Sequence, residues 1–209
     1  MRPRLLVTGF GPFPTMPRNP SGGAAIRVAT ARRWALYGVE ARPLVLTTAY
    51  SALDTELRPA LAEGPAAVLM IGVAGRTRPV RVERRATGRR STLFPDVAGE
   101  RGAGPGALRS AAARATRVAP VKPLLALRAQ GLPARISRDA GRYLCNASYH
   151  QALALAAPVL FIHIPKPPSP TRPARLGALP RRAWNARLDA ALTAIGLILM
   201  REARNARAR

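Results

Sequence analysis

Residues 66–73 read Ala66-Ala67-Val68-Leu69-Met70-Ile71-Gly72-Val73, an apolar run of strand length set between Gly64-Pro65 and Ala74-Gly75. Two further runs share this character, Arg4 to Phe10 near the start of the chain and Pro158 to Ile164 in its last quarter. Apolar runs bounded by Gly and Pro and alternating with longer helix-like stretches mark an α/β domain with a mostly parallel sheet. Val39 to Thr48 reads as a second strand and Pro133 to Ser137 as a short one. Val80-Arg81-Val82-Glu83-Arg84 alternates apolar and charged residues, which predicts a strand with one face solvated or turned toward a site.

Helices are expected over Gly22–Tyr37 with Gly38 as stop, Ala49–Glu63, Pro120–Gln130, Leu144–Ala156 and Arg181–Arg204, with residues 205–209 frayed. From Thr87 to Ala119 the periodicity is weak, and the reading is a long excursion with one short helix near Leu108–Arg114. A Pro-rich loop is expected from Pro165 to Pro173. No internal repeat or linker divides the chain, so the expected architecture is a single-domain α/β/α sandwich over residues 1–209.

Composition narrows the setting. With 209 residues and 48% hydrophobic content, one domain can bury a full core without metals or cross-links. One cysteine excludes an internal disulfide and cannot by itself build a zinc site, so a reducing cytoplasm is expected. The apolar run after Met1-Arg2-Pro3-Arg4 is too short for a signal peptide. Leu192 to Met200 is far below the roughly 20 residues that span a bilayer, so a soluble protein without membrane contact is expected.

The net charge of +24 invites a nucleic-acid reading. Lysine occurs only at Lys122 and Lys166, however, and arginine is scattered from Arg2 to Arg209 rather than gathered in one motif. Aromatics are only 5% and do not interleave with the basic stretches as a stacking platform requires. Nonspecific polyanion adhesion is expected ahead of dedicated nucleic-acid recognition.

In open α/β sheets, sites form outside the carboxyl ends of the strands. Phe10 and Phe13 follow the first strand, Val73 ends the third, Cys145 opens a helix after a strand, and His163 lies near the end of the last strand. A thiol in the first turn of a helix lies near the positive end of the macrodipole, which favours the reactive thiolate. A lone cysteine is otherwise more often a small buried apolar residue.

A cysteine nucleophile needs a base and a group to orient that base. His150 lies five residues beyond Cys145 on the same helix, about 140° around its axis, so His163 is the better partner. The orienting acid is less determined. Glu83 stands out by its place in the alternating strand, with an ion pair to a nearby arginine as the alternative reading, and Asp139 is the substitute candidate. Gly9-Phe10-Gly11 lacks the third glycine of a dinucleotide fingerprint, and there is no Walker loop, His-Glu-x-x-His or paired-cysteine spacing. No obligatory cofactor and no metal are indicated.

Three segments together resemble pyroglutamyl peptidase I, also called pyrrolidone-carboxylate peptidase, a cysteine peptidase family. They are Leu6-Val7-Thr8-Gly9-Phe10-Gly11-Pro12-Phe13 with Asn19-Pro20-Ser21, then Val82-Glu83-Arg84, then Gly141-Arg142-Tyr143-Leu144-Cys145-Asn146 followed by Phe161-Ile162-His163-Ile164-Pro165. The resemblance implies an omega peptidase that removes N-terminal pyroglutamate from peptides through a thioester acyl-enzyme, with no cofactor. Its catalytic Glu, Cys and His fall on Glu83, Cys145 and His163. Phe13 and Tyr143 match the aromatic positions that sandwich the lactam ring, and Phe10 and Asn19 match the pocket of the first loop. The resemblance also implies a homo-oligomer, often a tetramer.

One departure is Val73, where many relatives carry a polar residue. Used through its backbone, the change is minor; used through its side chain, lactam recognition is altered. Val73 and the high charge motivate a rival reading, a basic protein that keeps the peptidase fold, has lost its activity and binds nucleic acid or another polyanion.

Overall fold

The computed structural model describes residues 2–13, 16–89, 91, 93–102, 111–168 and 179–208. Its strands are β1 (Arg4–Phe10), β2 (Glu40–Leu46), β3 (Ala67–Val73), β4 (Val80–Glu83), β5 (Arg85–Gly88), β6 (Ala111–Ala115), β7 (Ala134–Ser137) and β8 (Val159–Ile164). Six of them form the central sheet in the order β2-β1-β3-β8-β4-β7, while β5 and β6 form a separate antiparallel ribbon. Every pairing in the central sheet is parallel except β4 against β8. The apolar runs at residues 66–73 and 158–164 thus become the adjacent central strands β3 and β8.

Side chains alternate across a strand, so each strand supplies both helix layers. Leu5, Val7, Leu69, Ile71, Leu160 and Ile162 belong to the cluster formed with α1 (Pro20–Ala29), α4 (Val121–Ala129) and α6 (Arg181–Arg207). Leu6, Phe10, Val68, Met70 and Phe161 belong to the opposite cluster, with α3 (Arg58–Ala62) and α5 (Leu144–Ala152). In α6, Trp184, Leu188, Leu192, Ile195 and Leu199 recur at three- and four-residue spacing and are all buried. By length and composition α6 could also cross a bilayer, but its apolar stripe is core against the sheet. Cutting one buried leucine of this stripe to alanine costs about 2–5 kcal/mol.

The helix expected over residues 22–37 is two pieces, α1 and α2 (Arg33–Leu36). Thr30 returns its hydroxyl to the Ile26 carbonyl at 2.9 Å, and the following turn carries Trp34 into the core, where its Nε1 donates to the Val28 carbonyl at 2.6 Å. Burying the indole outweighs helix continuity. The expected helix at 49–63 begins only after a bend and passes through a π-helical turn at Leu53–Leu57 before α3.

Three further expectations are corrected. Residues 111–114 are not helical: Ala111–Ala115 is β6, paired antiparallel with β5, while the rest of the expected helix from Leu108 lies outside the described residues. Alanine favours helix locally, but Thr116 bonds to the Arg84 and Val159 carbonyls and holds the segment extended. The helix from Leu144 ends at Ala152 rather than Ala156. At the other end of the chain, α6 continues to Arg207 instead of fraying from Asn205, and Arg204 Nη2 ties its last turns to the Tyr37 carbonyl at 2.9 Å. Of the Pro-rich loop at 165–173, residues 169–173 lie outside the described residues.

Candidate active site

Alternation along β4 places Arg81 and Glu83 on one face, beneath the α5 layer, while Val80 and Val82 enter the opposite core. Because β4 runs antiparallel to β8, Arg81 pairs with His163 and Glu83 with Phe161. The result is a buried constellation. Glu83 Oε1 lies 2.8 Å from His163 Nδ1 and 3.0 Å from Arg81 Nε, and Arg81 Nη2 lies 3.3 Å from the same Nδ1. Glu83 is fully buried and His163 nearly so. A carboxylate can only accept, so Nδ1 carries the proton toward Glu83 and Nε2 keeps its lone pair. Arg81 then has no acceptor at Nδ1 and acts there through its charge.

Cys145 is the second residue of α5. A Cβ added to Gly72 would stand 2.9 Å from its sulfur, so Sγ lies against the bare backbone of β3. Gly72 is the register partner of His163 on the neighbouring parallel strand. Adjacent strands lie about 4.8 Å apart and registered residues point to the same face. The structure therefore gathers thiol, imidazole and carboxylate on one face of the sheet. His150, by contrast, directs its Nε2 to the Ala112 carbonyl in the β5–β6 ribbon at 3.0 Å.

The electrostatics differ from the thiolate expected at a helix start. Desolvation by the packed surroundings pushes the Cys145 thiol up to about 12; Glu83 adds to this, while the helix-start amide and Arg81 oppose it. Burial lowers His163 below the ordinary histidine range, although Glu83 pulls it upward. Both shifts favour a neutral thiol and a neutral imidazole at rest. Tyr143, the residue that caps α5, contributes no side-chain cap. The first amides of α5 lack intrahelical partners and remain donors for an anion formed at the sulfur.

Phe10 is buried in the same cluster against which Tyr143 and Cys145 pack, and it forms part of the floor of this layer. Tyr143 donates its hydroxyl to the Pro95 carbonyl at 2.9 Å and meets Tyr50 edge to face at 5.9 Å. Phe13 is half-buried on the loop after β1, bridged to Met16 and outside that cluster. Asn19 caps α1: its Oδ1 accepts from the Ser21 amide and hydroxyl, and its Nδ2 donates to the Gly11 carbonyl at 2.9 Å. Its polar ends hold the loop that carries Phe13. Val73 is not brought to the sulfur; it packs against the α1–α6 core, so only its backbone can reach the site. Asp139 accepts from the Gly141 amide at 2.9 Å rather than from the imidazole, on which it acts only through its charge.

Several contributors were not singled out from sequence. Arg81 shares the alternation that marked Glu83, and reading the strand as a pair of charges would have found it. Gly72 has no signal of its own until Cys145 is known to lie above it. Asn146 is buried beside the cysteine and holds the ribbon through the Thr87 amide and the Thr87 and Arg89 carbonyls at 2.8–2.9 Å. Asp96 is buried and accepts from the amides of Tyr50, Ala98 and Glu100, fixing the loop that anchors Tyr143. Neither has a periodic signature, because each stabilises irregular backbone.

Comparison with known proteins bears on the family and the fold. A family model described as pyroglutamyl peptidase matches residues 3–199. A pyrrolidone-carboxylate peptidase of Gloeobacter violaceus is 36% identical over 169 residues, 78% of this chain and 81% of that one. Its counterpart in Deinococcus radiodurans is 33% identical over 172 residues, covering 78% of each. Among solved structures, pyrrolidone carboxyl peptidase from Thermus thermophilus superposes with a TM-score of 0.71 at 30% identity, covering 90% of this chain and 98% of that one. Pyroglutamyl peptidase I from Bacillus amyloliquefaciens superposes with a TM-score of 0.76 at 25% identity over 94% and 96% of the two chains.

Proposed function

The chain belongs to the pyroglutamyl peptidase family of cysteine-type peptidases, and from that premise we propose that Cys145, His163 and Glu83 are the groups with which it removes N-terminal pyroglutamate from peptides. The observation that carries these roles is the Glu83 Oε1 to His163 Nδ1 contact of 2.8 Å on the face of the sheet that holds the Cys145 sulfur. The sulfur attacks the carbonyl carbon of the pyroglutamyl residue as His163 Nε2 takes its proton. The tetrahedral oxyanion is met by the open amides at the start of α5. His163 returns the proton to the leaving amine, the shortened peptide departs, and a thioester remains. Water, deprotonated by the same imidazole, hydrolyses the thioester and releases pyroglutamate. Throughout, Glu83 holds the imidazole in the Nδ1–H tautomer and stabilises its cationic form.

The lactam ring is small, flat and uncharged. It suits an apolar slot with few polar contacts. Phe10 supplies the floor, Phe13 and Tyr143 the walls, Asn19 the shape of the loop, and Val73 at most a backbone group. A thiol that must remain reduced for attack suits a reducing compartment, which supports a cytoplasmic location. Assembly as a homo-oligomer, with a tetramer as the family expectation, belongs to the same reading and is checked by light scattering at moderate salt. The rival reading of an inactive basic binding protein draws no support from the relatives, whose names are those of peptidases.

Hydrolysis of a pyroglutamyl amide reporter, with and without thiol alkylation, tests the nucleophile. Cys145→Ser is expected to lower kcat by about a thousandfold or more. Undiminished turnover in that variant would sink the assignment.

A further inference from the structure

Beside the catalytic face lies a cavity of about 490 Å³ between the β5–β6 ribbon and the loop that leads into α5. Its lining includes Arg85, Arg89 and Arg142, with one carboxylate, Asp139. That carboxylate is engaged by the Gly141 amide at 2.9 Å. Among the described residues none of the three arginines has a carboxylate partner; the one hydrogen bond recorded for their side chains runs from Arg85 Nε to the Arg138 carbonyl at 2.9 Å. Three guanidiniums facing one space against a single carboxylate leave it with an excess of positive charge that suits an anion, and their planar forks match a carboxylate.

The cavity is tied to the reaction centre on two sides. Arg142 and Asp139 belong to the segment that ends at Cys145, and the Asp139 carbonyl is 3.4 Å from Arg81 Nη2, the atom beside His163. On the other side, Asn146 next to the nucleophile binds the backbone of Thr87 and Arg89. A group bound here therefore lies on the base side of the sulfur, where the amine and the rest of the peptide must leave.

We propose that the cavity lined by Arg85, Arg89 and Arg142 binds a carboxylate of the leaving peptide and makes the enzyme selective for pyroglutamyl peptides that carry one within a few residues of the scissile bond. The assignment rests on the peptidase reading above. The carboxylate has two sources, an acidic side chain or the C-terminus of a short peptide.

The test compares kcat/KM for pGlu-Ala-Ala-amide, its free acid, and amides with Glu in place of the first or second alanine. At low salt the best carboxylate-bearing peptide is expected to exceed the neutral amide about tenfold, and the ratio should shrink toward 0.5 M salt as the Debye length falls to about 4 Å. The double substitution Arg89→Gln, Arg142→Gln should bring the ratio close to one, whereas Arg114→Gln, whose guanidinium donates to the His150 carbonyl at 2.9 Å and is not part of the cavity's lining, should leave it intact. The free acid leading the series assigns the cavity to a chain terminus, and a Glu amide leading assigns it to a side chain. Equal turnover of neutral and acidic peptides, or a preference that survives the double substitution, overturns the cavity and leaves the peptidase standing. Turnover of none of them overturns both.

Discussion

The Cys145 sulfur fills the space that a side chain on Gly72 would claim. A Cβ there would stand 2.9 Å from Sγ and 2.7 Å from the Phe161 ring, both inside van der Waals contact. Gly72→Ala must displace the thiol or the ring. We expect kcat/KM to fall by about a hundredfold, the scale set by a misplacement of roughly 1 Å in a reacting group. Stability should fall by about 1–3 kcal/mol for the overpacked wall. Steady-state kinetics and urea denaturation check the two effects. Wild-type activity would mean that the sulfur is not held against β3.

The two histidines separate cleanly. His163→Ala removes the only imidazole bonded to Glu83 and should be as severe as loss of the thiol, since the proton then has no acceptor. His150→Ala breaks one contact with the ribbon and should change kcat/KM by less than about threefold. The same reporter assay reads both variants.

The pH profile follows from the resting protonation states. Activity needs the imidazole neutral and one proton on the thiol–imidazole pair. His163 is lowered, so the acid limb of kcat/KM should fall below the ordinary histidine value near 6.5. The thiol is raised to about 12, so the plateau should extend past the ordinary thiol value near 8.5. Glu83 and Arg81 from β4, Asp139 from the loop before α5, and Cys145 from α5 are the charged and titratable groups facing the imidazole. Arg81→Met removes a repelling cation, so His163 should gain basicity and the acid limb should move to higher pH. A limb that stays in place or moves the other way contradicts the arrangement.

Thiol reactivity offers a separate measure. A thiol raised by burial should react with iodoacetamide at pH 7 more slowly than a small exposed thiol, and faster as pH rises toward 10. A fast, pH-independent reaction below pH 7 would indicate a resting thiolate instead.

Substrate recognition should show the same asymmetry as the two sheet faces. Val73→Thr alters a side chain in the α1–α6 core, so it should cost stability and leave KM nearly unchanged. Tyr143→Phe loses the hydroxyl bond to Pro95 and should raise KM severalfold, through looser placement of the ring. Michaelis constants for one neutral substrate distinguish the two.

How much of this was legible in sequence depends on whether the determinant is local. The runs that became β3 and β8 carry their own signal, because strands buried on both faces must be apolar throughout. Glu83 was visible through its alternation with Val80 and Val82, although the choice between imidazole partner and ion pair stayed open. The structure makes it both, through one oxygen. The nonlocal features were hidden. β6 is extended because β5 pairs with it, and an alanine-rich segment carries no mark of a partner more than twenty residues away. The side-chain fate of Val73 depended on which face of β3 Cys145 would cover. The break between α1 and α2 depended on where Trp34 found a carbonyl.

The reversal of strand direction at β4 bears on how such an enzyme can change over generations. Arg81 and Glu83 reach the imidazole only because β4 pairs with β8 in one register. A single inserted or deleted residue within Val80–Glu83 would exchange the two faces of the strand, sending the charges into the α1–α6 core and placing valines beneath His163. The segment at 74–79, between β3 and β4, carries no such constraint and can vary in length. Surviving lineages should therefore accumulate gaps there and almost none in the four residues that follow, whatever substitutions they tolerate in either.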